Sequence, residues 1–71
     1  MELERLRQLE CTADLGTFSA AAKALHISQP ALSRSMQRLE ADLGVSLFER
    51  VGKRSSLSPT GIAALEWARQ A

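Results

Sequence analysis

The stretch from Ser28 to Gly44, SQPALSRSMQRLEADLG, constrains the fold most because it contains the start, the end and the buried face of one helix. Ser28 is a favoured N-cap residue, and Pro30 fits a first helical turn, where backbone N–H groups have no intrahelical partner. Gly44 suits the left-handed position that follows a helix. The apolar residues recur at helical spacing, and they are Leu32, Met36, Leu39 and Leu43. The stretch therefore predicts a long helix that is buried along one side.

The side of this helix opposite the apolar stripe is polar and basic. At about 100° per residue, the residues on that side are Pro30, Arg34, Gln37, Arg38 and Ala41, with Ser33 at the edge. The helix has no acidic residue before Glu40. A surface of this kind is suited to contact with an anionic partner.

The distribution of charge along the chain supports the same interpretation. The net charge is only +1, but no Asp or Glu occurs from Leu15 to Leu39 or from Arg50 to Leu65. The cations of these two stretches are Lys23, Arg34 and Arg38, then Arg50, Lys53 and Arg54. Two basic stretches in a nearly neutral chain indicate a local anion-binding surface. Charge alone does not separate such a surface from an ordinary solvated one.

Composition limits the size and the chemistry of the fold. With 71 residues, of which 45% are hydrophobic and 4% aromatic, the chain can form one small domain with a thin core. Cys11 is the single cysteine, so no internal disulfide can form, and no metal-ligand spacing is present. We therefore expect a cytoplasmic protein without metal or cofactor. We expect no membrane partner either, because no apolar run is long enough to span a bilayer and the N-terminus is not a signal peptide.

Two helices are predicted before Ser28. The first runs from Met1 to Leu15 and ends at Gly16, and its inner face is formed by Leu3, Leu6, Leu9 and Ala13. The second runs from Ala20 to Leu25, with Ser19 as its N-cap and Phe18 as a hydrophobic staple before it. His26 and Ile27 then form a tight turn into the Ser28–Gly44 helix.

A small hairpin is predicted after Gly44. Val45 to Arg50 and Ser55 to Ser58 are compatible with two strands, and residues 51–54 form a basic link that contains Gly52. We expect Phe48 to anchor the hairpin to the core.

The last helix begins at Pro59, with Ser58 as its N-cap. Apolar residues surround most of this helix, so we expect one side to pack on its own domain and the other on a partner chain or a further domain. We also expect the chain to be the first part of a longer protein.

This order of elements is that of a winged helix-turn-helix. The chain resembles, over essentially its whole length, the N-terminal DNA-binding domain of LysR-type transcriptional regulators. The residues that carry the resemblance are Gly16-Thr17-Phe18-Ser19, Ala21-Ala22, Leu25 to Ser33, Leu39-Glu40, Leu43-Gly44, Leu47 to Arg50, Leu57-Ser58 and Gly61. Glu10 and Thr12 depart from the pattern, since the family often has apolar residues there.

The resemblance implies a mainly α fold with a small β-hairpin. Residues 1–58 would form the winged helix-turn-helix, and residues 59–71 would begin the linker, or dimerisation, helix. In the family a C-terminal effector-binding domain follows, which is absent here and through which alone a small-molecule effector would act. The implied function is sequence-specific binding of double-stranded DNA in a bacterial transcriptional regulator, as a homodimer on an inverted-repeat operator.

The resemblance also implies which residues contact DNA. The implied base contacts are Gln29, Pro30, Ser33 and Arg34. These types suit the major groove, because Arg can bind guanine O6 and N7 together and Gln can pair with adenine. From their chemistry and charge, we expect contacts to the DNA backbone or the minor groove from Ser28, Arg38, Arg50, Lys53 and Arg54. The implied dimer interface is Ile62, Leu65, Trp67 and Ala68.

Two other classes of function compete with DNA binding. A winged helix can bind a protein through its long helix, and such binding would tolerate salt and the loss of Arg34. An enzyme is not supported by the sequence, which has one histidine, no thiol–imidazole pair and no phosphate-binding glycine loop.

Overall fold

A computed structural model of the chain describes residues 3–51 and 54–70. These residues form, in order, α1 (Leu3–Leu15), α2 (Phe18–Leu25), α3 (Gln29–Leu43), β1 (Phe48–Val51), β2 (Arg54–Leu57) and α4 (Pro59–Gln70). Helices α1, α2 and α3 pack against one another, α4 packs on α1 and β2, and the two strands pair antiparallel. The predicted fold, a mainly α winged helix-turn-helix followed by a further helix, is confirmed.

Helix α1 buries only part of the predicted face. Leu9 is fully buried as expected, but Leu3 is 71% exposed, and Gln8 and Thr12 are buried instead. A threonine can occupy this position because its hydroxyl donates to the Gln8 carbonyl oxygen, one turn earlier, at 2.8 Å. The expectation that Leu3 lies on the inner face is therefore wrong.

Helix α2 begins earlier than predicted, and its N-cap is Thr17, not Ser19. Gly16 ends α1 with φ +82°, and the chain then reaches Thr17 in an extended conformation. The Thr17 side-chain oxygen accepts a hydrogen bond from the Ala20 N–H at 3.1 Å. Phe18 consequently lies inside the helix, where its ring packs against that of Phe48 with centroids 5.1 Å apart.

The turn into α3 and both ends of α3 follow the prediction. His26 adopts a left-handed conformation, φ 59°, which closes α2. Ser28 caps α3 by accepting from the Ala31 N–H at 3.2 Å, and Gly44, with φ 70°, ends it. Three of the four stripe residues, Leu32, Met36 and Leu39, are buried, whereas Leu43 is partly exposed.

The strands of the hairpin are displaced from their predicted bounds. The pairs are Phe48↔Leu57, Glu49↔Ser56, Arg50↔Ser55 and Val51↔Arg54, so the strands extend into the predicted link. Residues 45–47 are not a strand, because the Leu47 N–H bonds to a Glu40 carboxylate oxygen. The Ser58 N–H donates to the Leu47 carbonyl oxygen, which continues the register of the two strands by one pair. The remainder of the predicted link, residues 52 and 53, lies outside the described residues.

The core is formed by residues of α1, α2, α3 and α4 together with one residue that precedes β1. Its members are Leu9, Ala21, Ala22, Leu32, Met36, Leu39, Leu47 and Leu65, with Phe18, Ile27, Phe48 and Leu57 packed at its edge. Phe48 thus anchors the hairpin to the core as predicted. Among residues 3–51 and 54–70, none of the helices combines the length and hydropathy needed to cross a bilayer.

Candidate nucleic-acid interface

The polar face of α3 is open to solvent along its whole length. Ser28, Gln29, Pro30, Arg34, Gln37 and Arg38 are exposed, and Ser33 is half-buried at the edge of this face. The first turn of the helix contains no acidic residue. The N-terminal end of a helix carries a partial positive charge and N–H groups without intrahelical partners. This end of α3 can therefore bind an anionic group, and the side chains of the following turns can contact other groups of the same ligand.

Gln37 and Ser35 of α3, for which the sequence predicts no specific contact, face different sides of the helix. Gln37 lies on the exposed face. Ser35 instead faces α1, where its hydroxyl donates to Gln8 Oε1. The helical spacing indicates this orientation, because Ser35 lies three residues after Leu32 and four before Leu39, and both leucines are buried. We therefore exclude Ser35 from the surface that a ligand of α3 would meet.

The hairpin of β1 and β2 forms the wing. Of its three predicted contact residues, the structure describes the side chain of Arg54. Arg54 is exposed, and its guanidinium lies against Gly16 in the turn between α1 and α2. Its Cζ is 3.5 Å from the position that a Cβ would take on Gly16. Arg50 is paired in register with Ser55, while Lys53 lies outside the described residues. The positive charge of Arg54 therefore lies beside the start of α2.

A cleft of about 240 Å³ separates α3 from the hairpin. Its lining residues are Phe18, Ser33, Met36, Gln37, Glu40, Ser46 and Phe48. The exposed face of α3 and the first strand of the wing thus lie on the two sides of one cleft. A ligand on α3 would extend toward the wing.

The four predicted interface residues of α4 differ in their surroundings. Ile62 and Trp67 are 49% and 61% exposed. Leu65 is only 7% exposed, because it packs into the core of its own domain. Ala68 lies in the helix, and its side chain is outside the described ones. Of these residues, Ile62 and Trp67 expose apolar surface, and Leu65 does not.

Trp67 also borders an apolar groove of about 470 Å³. The other lining residues are Leu6, Leu9, Leu43, Val45, Thr60, Ala63 and Ala64, from α1, the end of α3 and α4. The partial exposure of Leu43 is explained by its place in this groove.

Ion pairs join α1 to α4 and to α3 on the surface. Arg69 Nε donates to Glu10 Oε2 at 2.7 Å, and its Nη2 lies 3.5 Å from Asp14 Oδ1. The hydrogen bond to Glu10 raises the pKa of Arg69 above its ordinary value, with smaller contributions from nearby carboxylates. Arg5 lies 3.2 Å from Asp42 at the end of α3. In the described residues, no three His, Cys, Asp or Glu side chains are grouped as metal ligands.

The fold matches that of known regulators. The family model described as "Bacterial regulatory helix-turn-helix protein, lysR family" matches residues 3–62. The HTH-type transcriptional regulator TcbR of Pseudomonas sp. (strain P51) is 49% identical over 70 residues, which are 99% of this chain and 24% of TcbR. This chain thus spans about a quarter of the length of that relative.

Two solved structures of a LysR family regulator, CbnR, superpose closely on this fold. The CbnR_DBD–DNA complex matches with a TM-score of 0.92 and 48% identity, covering 99% of this chain and 80% of that one. Full-length CbnR complexed with its target DNA matches with a TM-score of 0.91 and 48% identity, covering 99% of this chain and 24% of that one. Together with the family match, these likenesses show that the chain belongs to the LysR family of bacterial regulatory helix-turn-helix proteins and is a DNA-binding domain of that family.

Proposed function

We propose that this domain reads double-stranded DNA by sequence through α3 and acts as a homodimer on an imperfect inverted repeat. The observation that carries the proposal is the exposed N-terminal half of α3, which bears Gln, Ser and Arg side chains and no acid. Two of its structural relatives are complexes with DNA, which supports DNA as the ligand.

In this proposal the first turns of α3 enter the major groove and contact base edges. Arg34 binds guanine O6 and N7, and Gln29 pairs with adenine. Pro30 and Ser33 contact a thymine methyl group or a base edge. Their exposure, or half-exposure for Ser33, on one continuous face supports these roles.

The DNA backbone is held by residues at the two sides of that face. Ser28 and the N–H groups at the start of α3 bind phosphate, and Arg38 binds a phosphate further along the groove. In the wing, Arg50, Lys53 and Arg54 contact phosphate or the minor groove. The place of Arg54 beside the start of α2 supports a phosphate contact there.

The dimer forms through α4. Ile62 and Trp67 supply its apolar contact, and Ala68 lies on the same helix. A two-fold dimer would present two α3 helices to successive major grooves, so its site would be an inverted repeat.

For the whole protein we propose a cytoplasmic transcriptional regulator without catalytic activity in this domain. Residues 1–58 form the DNA-binding unit, and residues 59–71 begin a linker helix toward an effector-binding domain. The regulators that resemble this chain are about four times as long, which supports a further domain.

The test is selection of bound duplexes from a random-sequence pool at two salt concentrations. We expect enrichment of an inverted repeat, with affinity that falls steeply as salt rises because counterions are released from the DNA. Salt-sensitive binding without an enriched motif would contradict sequence reading. Salt-tolerant binding of a protein, with no binding to DNA, would favour the protein-interaction alternative.

A further inference from the structure

Glu40, in the last turns of α3, holds the backbone that leads into the wing. Its carboxylate oxygen Oε2 accepts a hydrogen bond from the Leu47 N–H at 2.7 Å. Its carbonyl oxygen accepts from the Gly44 and Val45 N–H groups at 2.8 and 3.2 Å. One residue of α3 therefore fixes the segment of residues 44–47 through both its main chain and its side chain.

The segment held by Glu40 supports both β1 and α4. Leu47 is fully buried, and its carbonyl oxygen accepts from the Ser58 N–H at 2.9 Å. The Ser58 hydroxyl donates to the Ser46 carbonyl oxygen at 2.7 Å and accepts from the Gly61 N–H at 3.0 Å. A shift of residues 46 and 47 would thus move the first strand of the hairpin and the start of α4.

The Leu47 N–H thus bonds to a residue that lines the cleft between α3 and the hairpin. Glu40, Ser33 and Gln37 line the cleft from α3, and Ser46 and Phe48 line it from the hairpin side. Because its acceptor is a carboxylate and its donor belongs to a buried residue, this hydrogen bond is stronger than an ordinary neutral one. It therefore fixes how far the wing lies from the exposed face of α3.

We propose that Glu40 is a positioning residue for DNA binding, which holds the wing where its cations reach DNA while α3 lies in the major groove. This inference rests on the proposed function. Since a carboxylate is repelled by phosphate, Glu40 contributes through the geometry of the wing and not through a contact with DNA.

The test compares Glu40→Asp with the parent protein on a duplex that carries the selected inverted repeat. Aspartate keeps the charge but is one methylene shorter, so it cannot reach the Leu47 N–H without movement of the wing. A plot of the logarithm of the association constant against the logarithm of salt concentration has a negative slope. We expect this slope to become shallower by about 1 to 3, at about 0.9 for each phosphate that the wing no longer neutralises. Discrimination against a duplex changed at one base pair should stay within about twofold, because α3 keeps its base contacts.

Two controls separate this effect from changes in charge or helix propensity. Glu66→Asp makes the same replacement at an exposed position of α4 and should leave the salt slope unchanged. Glu40→Gln retains an oxygen that can accept the hydrogen bond from the Leu47 N–H. Asp42→Asn removes the same charge from α3, so the two variants should have nearly the same salt slope. Circular dichroism tests whether each variant is folded. If Glu40→Asp fails to fold, the comparison of salt slopes between Glu40→Gln and Asp42→Asn still tests the proposal.

The outcomes distinguish this inference from the function on which it rests. Faster hydrogen exchange at the Leu47 amide, together with a reduced salt slope in Glu40→Asp, would support the positioning role. An unchanged slope in a folded Glu40→Asp protein, or a slope in Glu40→Gln well below that of Asp42→Asn, would overturn it while the function stood. Absence of DNA binding by the parent protein would overturn both.

Discussion

At the scale of single residues, a hydrogen bond between α1 and α3 fits the rotation of α3 about its axis. The Ser35 hydroxyl donates to Gln8 Oε1 of α1, and Gln8 is buried. Since successive residues of a helix are about 100° apart, fixing Ser35 toward α1 directs Arg34 and Gln37 away from the domain interior. This hydrogen bond and the burial of Leu32, Met36 and Leu39 together leave Arg34 and Gln37 open to a ligand.

The N-cap of α2 provides a prediction at this scale. Thr17→Ala should lower the free energy of unfolding by about 1 kcal/mol, because the Ala20 N–H loses its side-chain acceptor. Ser19→Ala is the matched control: Ser19 is exposed inside the helix, and its replacement should be neutral or slightly stabilising. Urea denaturation of both variants measures the difference. A larger loss in Ser19→Ala would contradict the assignment of Thr17.

At the scale of elements, the position of α4 depends on close approach between its first turn and the residue before β1. A Cβ at Gly61 would overlap the Leu47 carbonyl oxygen, which is itself bonded to the Ser58 N–H. Leu57 of β2 contacts the same place. Gly61 is therefore needed for space and not for an unusual backbone conformation.

Replacement of this glycine tests the packing of α4. In an exposed helix Gly→Ala stabilises by about 1 kcal/mol, but here we expect Gly61→Ala to destabilise by about 1–3 kcal/mol because the added carbon is overpacked. The neighbouring Thr60→Ala should be neutral or slightly stabilising, since Thr60 is exposed. A gain of stability in Gly61→Ala, measured by urea denaturation, would show that α4 can move away from Leu47.

Elements with local start and stop residues were predictable from the sequence. Helix α3 has Ser28 and Gly44 at its two ends, and both are the observed caps. The start of helix α2 has two residues of a type that favours the N-cap position, Thr17 and Ser19, within three positions. The turn made by Gly16 selects the first, and residue type alone does not.

Features that depend on contacts distant in sequence were not predictable. The start of β1 follows from the bond of the Leu47 N–H to Glu40, so the VSLFER stretch gives the wrong start. Similarly, the apolar residues around α4 do not reveal which side covers the core. Leu65 therefore resembled an interface residue although it is buried in its own domain.

At the scale of the whole molecule, the domain has two surfaces of contrasting chemistry. One is the polar and basic face of α3 with the wing beside it. The other is apolar and comprises Ile62, Trp67 and the groove that Trp67 borders. The first surface suits DNA, and the second contains the dimer contact that we propose.

The difference between Leu65 and Trp67 gives a prediction at this scale. Leu65→Ala should lower the free energy of unfolding by about 2–5 kcal/mol, because it leaves a cavity in the core. Trp67→Ala should change it by less than about 1 kcal/mol but weaken dimerisation measured by sedimentation equilibrium. A Trp67→Ala protein that unfolds as readily as Leu65→Ala, or dimerises as well as the parent, would contradict this division of α4.

The most direct test of the central claim, that α3 reads base sequence, is affinity for the selected repeat and for each of its single-base-pair variants. It is measured for the parent, Arg34→Ala and Arg7→Ala. Arg7 is the matched control, because it is an exposed arginine that lines a cleft between α1 and α4. We predict that Arg34→Ala loses about 1–3 kcal/mol of discrimination at one base pair of each half-site, while Arg7→Ala keeps the pattern of the parent. Equal, uniform losses of affinity in both variants would contradict base reading by α3.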